Sequence, residues 1–169
     1  LGDVYKRQVI GSNSFSGSHF VSEALRNKHR VIGVSRSKEP KSLFLAYKWW
    51  NNQNDFKILE KNFIFKSLDL NKDLDLLIKL VDEYQPEYVV NFASQGMVAE
   101  SWKDPVHWYN TNIVSQVALH DELRKRKFLK KYLHVTTPEV YGSTDKGWIK
   151  ECFNFSPSTP YAVSRAACD

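Results

Sequence analysis

Val9-Ile10-Gly11-Ser12-Asn13-Ser14-Phe15-Ser16-Gly17 is the stretch whose reading decides the fold. An apolar β-branched pair runs into a glycine, and Ser18–Asn27 then reads as a helix, giving strand, tight turn and helix in succession. Gly11 permits the sharp turn and Gly17 permits close packing of helix on strand. Ser14, not Gly, takes the middle place of a G-x-x-G-x-x-G pattern; it crowds a pyrophosphate more than glycine would, though it is small and its hydroxyl can donate a hydrogen bond.

Outward from this turn the chain alternates strand and helix. Arg30–Val34 reads as a second strand, Lys41–Trp50 as a helix within a polar and aromatic stretch, and Asn62–Lys66 as a third strand. Leu74–Tyr84 is an amphipathic helix with Leu74, Leu77, Ile78 and Val81 on one face. Pro86 precedes a fourth strand, Tyr88–Phe92. A helical region then runs from Asp104-Pro105 to about Lys127, with a break expected near Asn110–Asn112, and Tyr132–Thr136 is a fifth strand. This order predicts an α/β fold with a doubly wound parallel sheet, Rossmann-like, whose ligands bind at the carboxyl ends of the strands.

Composition narrows the class. A chain of 169 residues with 42% hydrophobic and 25% charged residues has the balance of one soluble globular domain. It contains no apolar run of the roughly 18–20 residues a membrane span needs. The two cysteines, Cys152 and Cys168, lack metal-ligand spacing, so no metal site and a reducing cytoplasm are expected. The net charge of +5 raises the question of nucleic acid. Its densest source, Arg124-Lys125-Arg126-Lys127 with Lys130-Lys131, falls at the end of a helix expected over Val114–Lys127, where cations complement the helix dipole in water. Nucleic acid is therefore not the expected partner.

Each strand end carries a candidate ligand group. The helix N-terminus after Gly11 suits a pyrophosphate, which makes Gly11, Ser14, Phe15 and Gly17 candidate dinucleotide contacts; an ordinary βα loop is the alternative. After the second strand, Ser35-Arg36-Ser37 replaces the carboxylate that would bind ribose hydroxyls. A guanidinium between hydroxyls suits a ribose 2′-phosphate, so the expected cofactor is NAD(P), with NADP favoured by Arg36; a solvated loop arginine is the alternative. Asp69-Leu70 either meets the adenine or provides a helix N-cap. Ala93, Ser94 and Gln95 offer close backbone approach along the ribose and nicotinamide side, or are plain loop.

Thr136-Thr137-Pro138-Glu139-Val140-Tyr141-Gly142 and Pro160-Tyr161-Ala162-Val163-Ser164-Arg165 form an acid/base layout. A phenol has a reference pKa of about 10 and is a poor base near neutrality. Arg165, at i+4 from Tyr161 on one helix face, would favour the phenolate, and Thr137 would relay the proton. Thr137, Glu139, Tyr161 and Arg165 are the candidate catalytic residues. A structural tyrosine beside an exposed arginine is the alternative.

Together these residues resemble the extended short-chain dehydrogenase/reductases, the NAD(P)-dependent epimerase/dehydratase family, over essentially Val9 to Asp169. Asn91-Phe92-Ala93-Ser94-Gln95 looks like the family's strand-four motif. Ser101, Asp104-Pro105 and Asn112 look like its following helix signature, and Pro157 with Pro160–Arg165 like its catalytic Tyr-x-x-x-Lys segment. The resemblance implies that Asn112, Tyr161 and Arg165 also lie against the cofactor. Thr137-Pro138-Glu139 is most similar to the nucleotide-sugar 4,6-dehydratases of the dTDP-glucose and GDP-mannose types. That similarity implies proton removal from the sugar C4 hydroxyl by Tyr161, polarised by Thr137, and from C5 by Glu139. Arg165 stands where the family has Lys, and Pro138 where the dTDP-glucose type has Asp. An epimerase or reductase of the same family, and a noncatalytic dinucleotide-binding sensor, are the other readings. Family relatives also suggest a homodimer, with the aromatic Trp102–Tyr109 region contributing.

The two ends read differently from the rest. Leu1–Gln8 is too polar for a first strand and is expected to be a non-native sequencing-library scar. No stop signal follows the helix begun near Tyr161, so the reading frame is expected to continue past Asp169, with residues 9–169 an incomplete NAD(P)-binding domain, the substrate domain absent and the fragment itself inactive.

Overall fold

The computed structural model describes residues 5–49, 57, 61–143 and 147–169. Five strands, β1 (Lys6–Ile10), β2 (Arg30–Ser35), β3 (Phe63–Ser67), β4 (Tyr88–Asn91) and β5 (Lys131–His134), form one sheet in the order β3-β2-β1-β4-β5. All four pairings are parallel, with Val9 opposite Gly33 on one side and Val90 on the other. That order is the doubly wound one, and it reverses direction between β1 and β4, which is where such sheets bind ligands. The three central strands β1, β2 and β4 carry short β-branched runs whose residues are covered: Val9, Val31, Ile32, Val34, Val89 and Val90 are all buried.

β1 starts earlier than Val9. Lys6, Arg7 and Gln8 pair in register with Arg30, Val31 and Ile32. Gln8 is 1% exposed, and its Nε2 has no hydrogen-bond partner among the described residues. A polar side chain therefore occupies a position the sheet would fill with an apolar one.

The chain divides into two compact units, Leu1–Ala93 with Asp121–His134, and Ser94–His120 with Val135–Asp169. In the first, helix α1 (Phe15–Arg26) buries Val21, Ala24 and Leu25 against Val9, Val31, Leu45 and Tyr47, with Phe20, Phe63 and Phe92 at the margin. α1 begins three residues before the expected Ser18, because Ser14 caps it. The expected helix over Lys41–Trp50 is instead two 3₁₀ turns, Ser42–Phe44 and Ala46–Lys48, joined through an extended Leu45; Trp50 lies outside the described residues. Burial decides this. Leu45 and Tyr47 are both fully buried, and Tyr47 packs at a tilt against Phe63, ring centroids 4.7 Å apart, and donates its hydroxyl to Glu39 at 2.6 Å. Burial and that carboxylate together push the Tyr47 phenol well above its ordinary range. Helix α2 (Leu74–Tyr84) buries Leu77, Ile78, Leu80 and Val81 and stops at Gln85, whose left-handed backbone precedes Pro86.

The basic run at 124–131 also lies in the first unit. Arg124 and Lys125 pair with Asp121, Arg126 with Asp82 and Glu122, and Lys130 with Glu87. The hydrogen bonds from Lys125 and Arg124 hold the Asp121 carboxyl below its ordinary range. Arg124, Lys125, Arg126 and Lys130 are thus paired with neighbouring carboxylates.

Across the helical region, α3 (Pro105–Tyr109) starts at Asp104, whose carboxylate accepts from His107 N at 3.2 Å. The expected break near Asn110–Asn112 is a π-helical turn, Asn110–Val114, after which α4 runs over Ser115–Leu123 rather than to Lys127. The widened turn carries the helix on while rotating Asn112 into the interior. In the second unit, helix α5 (Pro160–Ala166) is capped by Thr159 Oγ1, which accepts from Ala162 N at 3.0 Å. No helix among the described residues is long and apolar enough to cross a membrane.

Candidate functional site

In the first unit the glycine turn is built as a close-packed cradle. Gly11 has φ +81°, and a Cβ there would meet Ala93 N at 2.7 Å and the Phe92 carbonyl carbon at 2.8 Å. Gly11 therefore lets the turn lie on the backbone leaving β4, the far side of the switch point. Asn91 fixes that backbone: its Oδ1 accepts from Ala93 N at 2.8 Å and its Nδ2 donates to Tyr132 Oη at 2.8 Å. Gly17 sits against the turn itself, where a Cβ would meet Gly11 O at 2.2 Å.

Ser14 is the N-cap of α1. Its hydroxyl donates to Gly11 O at 2.7 Å and accepts from Gly17 N at 3.0 Å. One residue thus closes the turn and starts the helix, leaving the Phe15 and Ser16 amides at the first helical positions, ahead of the intrahelical ladder. Phe15 itself is exposed. An uncovered helix N-terminus over a cradle that admits no side chain fits a pyrophosphate.

Ser35 is buried at the end of β2, and its hydroxyl accepts from Asn13 N at 2.9 Å and meets Ser12 Oγ at 3.4 Å. It serves the interior, while Arg36 and Ser37 are exposed. Asp69 does not cap a helix: α2 is preceded by Asp73. The Asp69 carboxylate accepts from Asn71 N at 2.9 Å, and Asp73 Oδ2 accepts from Asp69 N at 2.8 Å. Asp69 and Leu70 are half-buried in this local turn.

The second unit holds Thr137, Glu139, Tyr161 and Arg165, the residues expected to form an acid/base set. Thr137 precedes a 3₁₀ turn, Pro138–Tyr141, and its Oγ1 accepts from Glu139 N at 3.4 Å. α5 packs against this turn, so the helix bearing Tyr161 and Arg165 and the turn bearing Glu139 are brought together. Tyr161 is half-buried, and its amide donates to Ser101 Oγ at 3.1 Å. Arg165 is only 2% exposed and donates through Nη2 to the Val135 carbonyl. The exposed arginine of the alternative reading is not found: Arg165 is a buried cation that ties α5 to the segment leaving β5. A solvent-open cleft of about 660 Å³ lies beside the turn, lined by Thr136, Thr137, Pro138, Tyr141, Cys152 and Phe153 among others.

Asn112 organises this unit. Its Oδ1 accepts from Gln95 N at 2.7 Å, and its Nδ2 donates to Gln95 O at 3.0 Å and to Ser164 Oγ at 2.9 Å. Ser164 Oγ in turn donates to Tyr161 O at 2.7 Å. One buried amide therefore fixes the Gln95 backbone and the turn of α5 that carries Tyr161, while Ser94 stays exposed. No cluster of three or more metal-ligating side chains occurs among the described residues.

The family model described as GDP-mannose 4,6 dehydratase matches residues 9–169. The chain belongs to that family. With it the chain joins the extended short-chain dehydrogenase/reductases that its motifs resemble. A dTDP-glucose 4,6-dehydratase of Xanthomonas campestris pv. campestris (strain B100) is 33% identical over 95% of this chain and 46% of the relative. A solved dTDP-glucose 4,6-dehydratase from Streptomyces venezuelae, with NAD and TYD bound, matches with a TM-score of 0.77 at 25% identity, covering 96% of this chain and 49% of that one. A UDP-Glc/GlcNAc 4-epimerase from Campylobacter jejuni has a TM-score of 0.81 at 20% identity over 97% of this chain and 46% of its own, and shares the fold. The chain spans about half the length of the curated relatives it matches.

Within the GDP-mannose 4,6 dehydratase family reading, two residues of this site carried little signal in the sequence. Ser164 lies inside the Tyr-x-x-x-Arg segment as a small polar residue; only its i+3 spacing from Tyr161 hints at a shared helix face. Asn91 reads as the polar end of a strand, and its two partners become visible only when Tyr132 is paired alongside.

Proposed function

We propose that this chain is the dinucleotide-binding part of an NAD(P)-dependent nucleotide-sugar 4,6-dehydratase, converting a nucleotide-activated hexose to the 4-keto-6-deoxy sugar nucleotide. The observation that carries the reading is the packing of α5, with Tyr161 and Arg165, against the 3₁₀ turn that follows Thr137 and presents Glu139. The family match and the dehydratase names of its relatives support it.

The Gly11 cradle and the amides of Phe15 and Ser16 suit the pyrophosphate of NAD(P), with Arg36 toward the adenosine ribose and Ala93, Ser94 and Gln95 toward the nicotinamide side. When bound, the dinucleotide would supply the hydride acceptor for the sugar C4 and the hydride donor for C6. Tyr161 as phenolate takes the C4 hydroxyl proton, and the Thr137 hydroxyl polarises that oxygen. The C4 ketone acidifies C5, whose proton passes to Glu139 as the C6 hydroxyl leaves. Pro138 has no proton to give, so the departing oxygen is protonated from solvent, and the cycle closes when C5 is reprotonated. Arg165 lies one helical turn from Tyr161 with its charge buried.

The absence of an acid at Pro138 is the specific observation behind a second reading, a 4-epimerase, which needs no elimination. Solvent exchange separates the two. In D2O with dTDP-glucose or GDP-mannose, the wild-type full-length protein incorporates deuterium at C5, and Glu139→Gln abolishes that while C4 oxidation persists. Exchange at C5 that survives Glu139→Gln overturns the assignment of Glu139. Tyr161→Phe abolishes turnover with the fold intact, whereas a sensor would keep its function.

Self-association through the second unit is supported by exposed Trp102, Val106, Val114 and Val117. A cytoplasmic location is supported by Cys152 and Cys168, which are both free thiols.

A further inference from the structure

The exposed loop leaving β2 is pinned at every step. The carbonyls of four consecutive residues each accept a hydrogen bond: Ser35 O from Leu68 N at 3.0 Å, Arg36 O from Ser67 Oγ at 3.2 Å, and Ser37 O and Lys38 O from Asn13 Nδ2 at 3.1 and 3.2 Å. Asn13 also donates its amide to Ser35 Oγ at 2.9 Å. A residue of the glycine turn thus grips the loop from one side while the end of β3 grips it from the other. The charges are sorted as well. Arg36, Lys38 and Lys41 are exposed, whereas Glu39, the acid among them, is engaged by Lys48 at 2.7 Å and by the Tyr47 hydroxyl at 2.6 Å. The loop therefore presents its cations with the adjacent carboxylate already neutralised, the electrostatics that suit a phosphate dianion.

We infer that Asn13 is a positioning residue for cofactor choice: by clamping Ser37 and Lys38 to the glycine turn it holds Arg36 and Lys38 where they meet a phosphate monoester on the adenosine ribose, and so selects NADP over NAD. This rests on the reading of the unit as a dinucleotide site. Asn13 touches the loop backbone and acts through Arg36, since its side-chain donors are both spent on carbonyls. Order matters here because a guanidinium gains most from a dianion when its backbone is fixed in advance.

The test is titration of the purified full-length protein with NADP+ and, separately, with NAD+. Wild type binds NADP+ more tightly. Asn13→Ala weakens NADP+ by about tenfold, part of what the two hydrogen bonds holding the loop can contribute, and leaves NAD+ within about twofold. Asn13→Ser, which keeps a turn-forming polar residue too short to reach both carbonyls, gives the same shift and covers the case in which the alanine variant fails to fold. In an Arg36→Ala background, Asn13→Ala has no further effect on NADP+, because the residue it positions is gone. Equal loss of both cofactors, or an additive loss in the double variant, overturns the inference. A wild type that prefers NAD+ overturns it while the dinucleotide site stands. A wild type that binds neither cofactor overturns both.

Discussion

Replacing Asn112 with alanine tests how the second unit is held. The substitution removes the acceptor of the Gln95 amide and the two donors that reach Gln95 O and Ser164 Oγ. Asn112 is 2% exposed, so water does not readily replace these bonds. A buried amide left without an acceptor costs about 1–3 kcal/mol, and each of the other two lost bonds about 1 kcal/mol. The expected loss is about 3–5 kcal/mol, a large part of a domain's net stability of about 5–15 kcal/mol. With a urea slope of about 2 kcal/mol per molar, the unfolding midpoint falls by about 2 M. Hydrogen exchange adds the local readout: the Gln95 amide loses its protection. Asn112→Asp sharpens the test. It keeps an acceptor for Gln95 N but sets a carboxylate against Gln95 O, so at neutral pH it is as damaging as alanine. Burial raises the pKa of that carboxyl in the folded state above its unfolded value, so the folded state binds the extra proton and the variant regains stability as pH falls through the folded pKa. An alanine variant within about 0.5 kcal/mol of wild type, with Gln95 still protected, would refute the reasoning.

Three further outcomes are expected. Gln8→Met, of similar volume, removes the orphaned Nε2 from the sheet interior and raises the unfolding free energy by about 1–2 kcal/mol; a destabilised variant would show that the amide is satisfied in solution. Gly17→Ala gains about 1 kcal/mol of helix propensity but sets a methyl 2.2 Å from Gly11 O, so α1 must retreat and the net loss is about 2 kcal/mol, against a net gain if propensity prevailed. Burial lowers the pKa of His29, with the neighbouring Arg7 guanidinium adding to it, and burial alone lowers that of His120, from the ordinary 6.5. The unfolded chain therefore binds the extra protons, and the thermal midpoint falls as pH drops from 7.5 through 6.5 to 5.5, a slope that flattens in a His29→Asn, His120→Asn variant.

The centre of the sheet is legible because its strands contain short β-branched runs, such as Val31-Ile32 and Val89-Val90, bounded by turn residues. The glycine turn was legible in outline but not in the role of Ser14, since the pattern marks that place as a backbone position while the hydroxyl makes it a cap. The apolar spacing of the segment after β2 is compatible with a helix. Burial of Leu45 and Tyr47 against α1 and β3 overrode that spacing. The break at Asn110–Asn112 was visible in the paired asparagines, yet its form, a π-helical turn, depends on partners 17 and 52 residues away in sequence. Arg165 illustrates the same limit. Its i+4 spacing from Tyr161 was plain, whereas its burial against the Val135 carbonyl depends on a segment beyond the helix.

The central claim is elimination of water from a nucleotide hexose, and mass spectrometry of the product tests it most directly. The full-length protein, supplied with NAD(P)+ and incubated separately with dTDP-glucose and GDP-mannose, is expected to yield from one of them a product lighter by one water, and Tyr161→Phe to yield none. A product of unchanged mass and inverted C4 configuration would contradict the account and make the protein an epimerase.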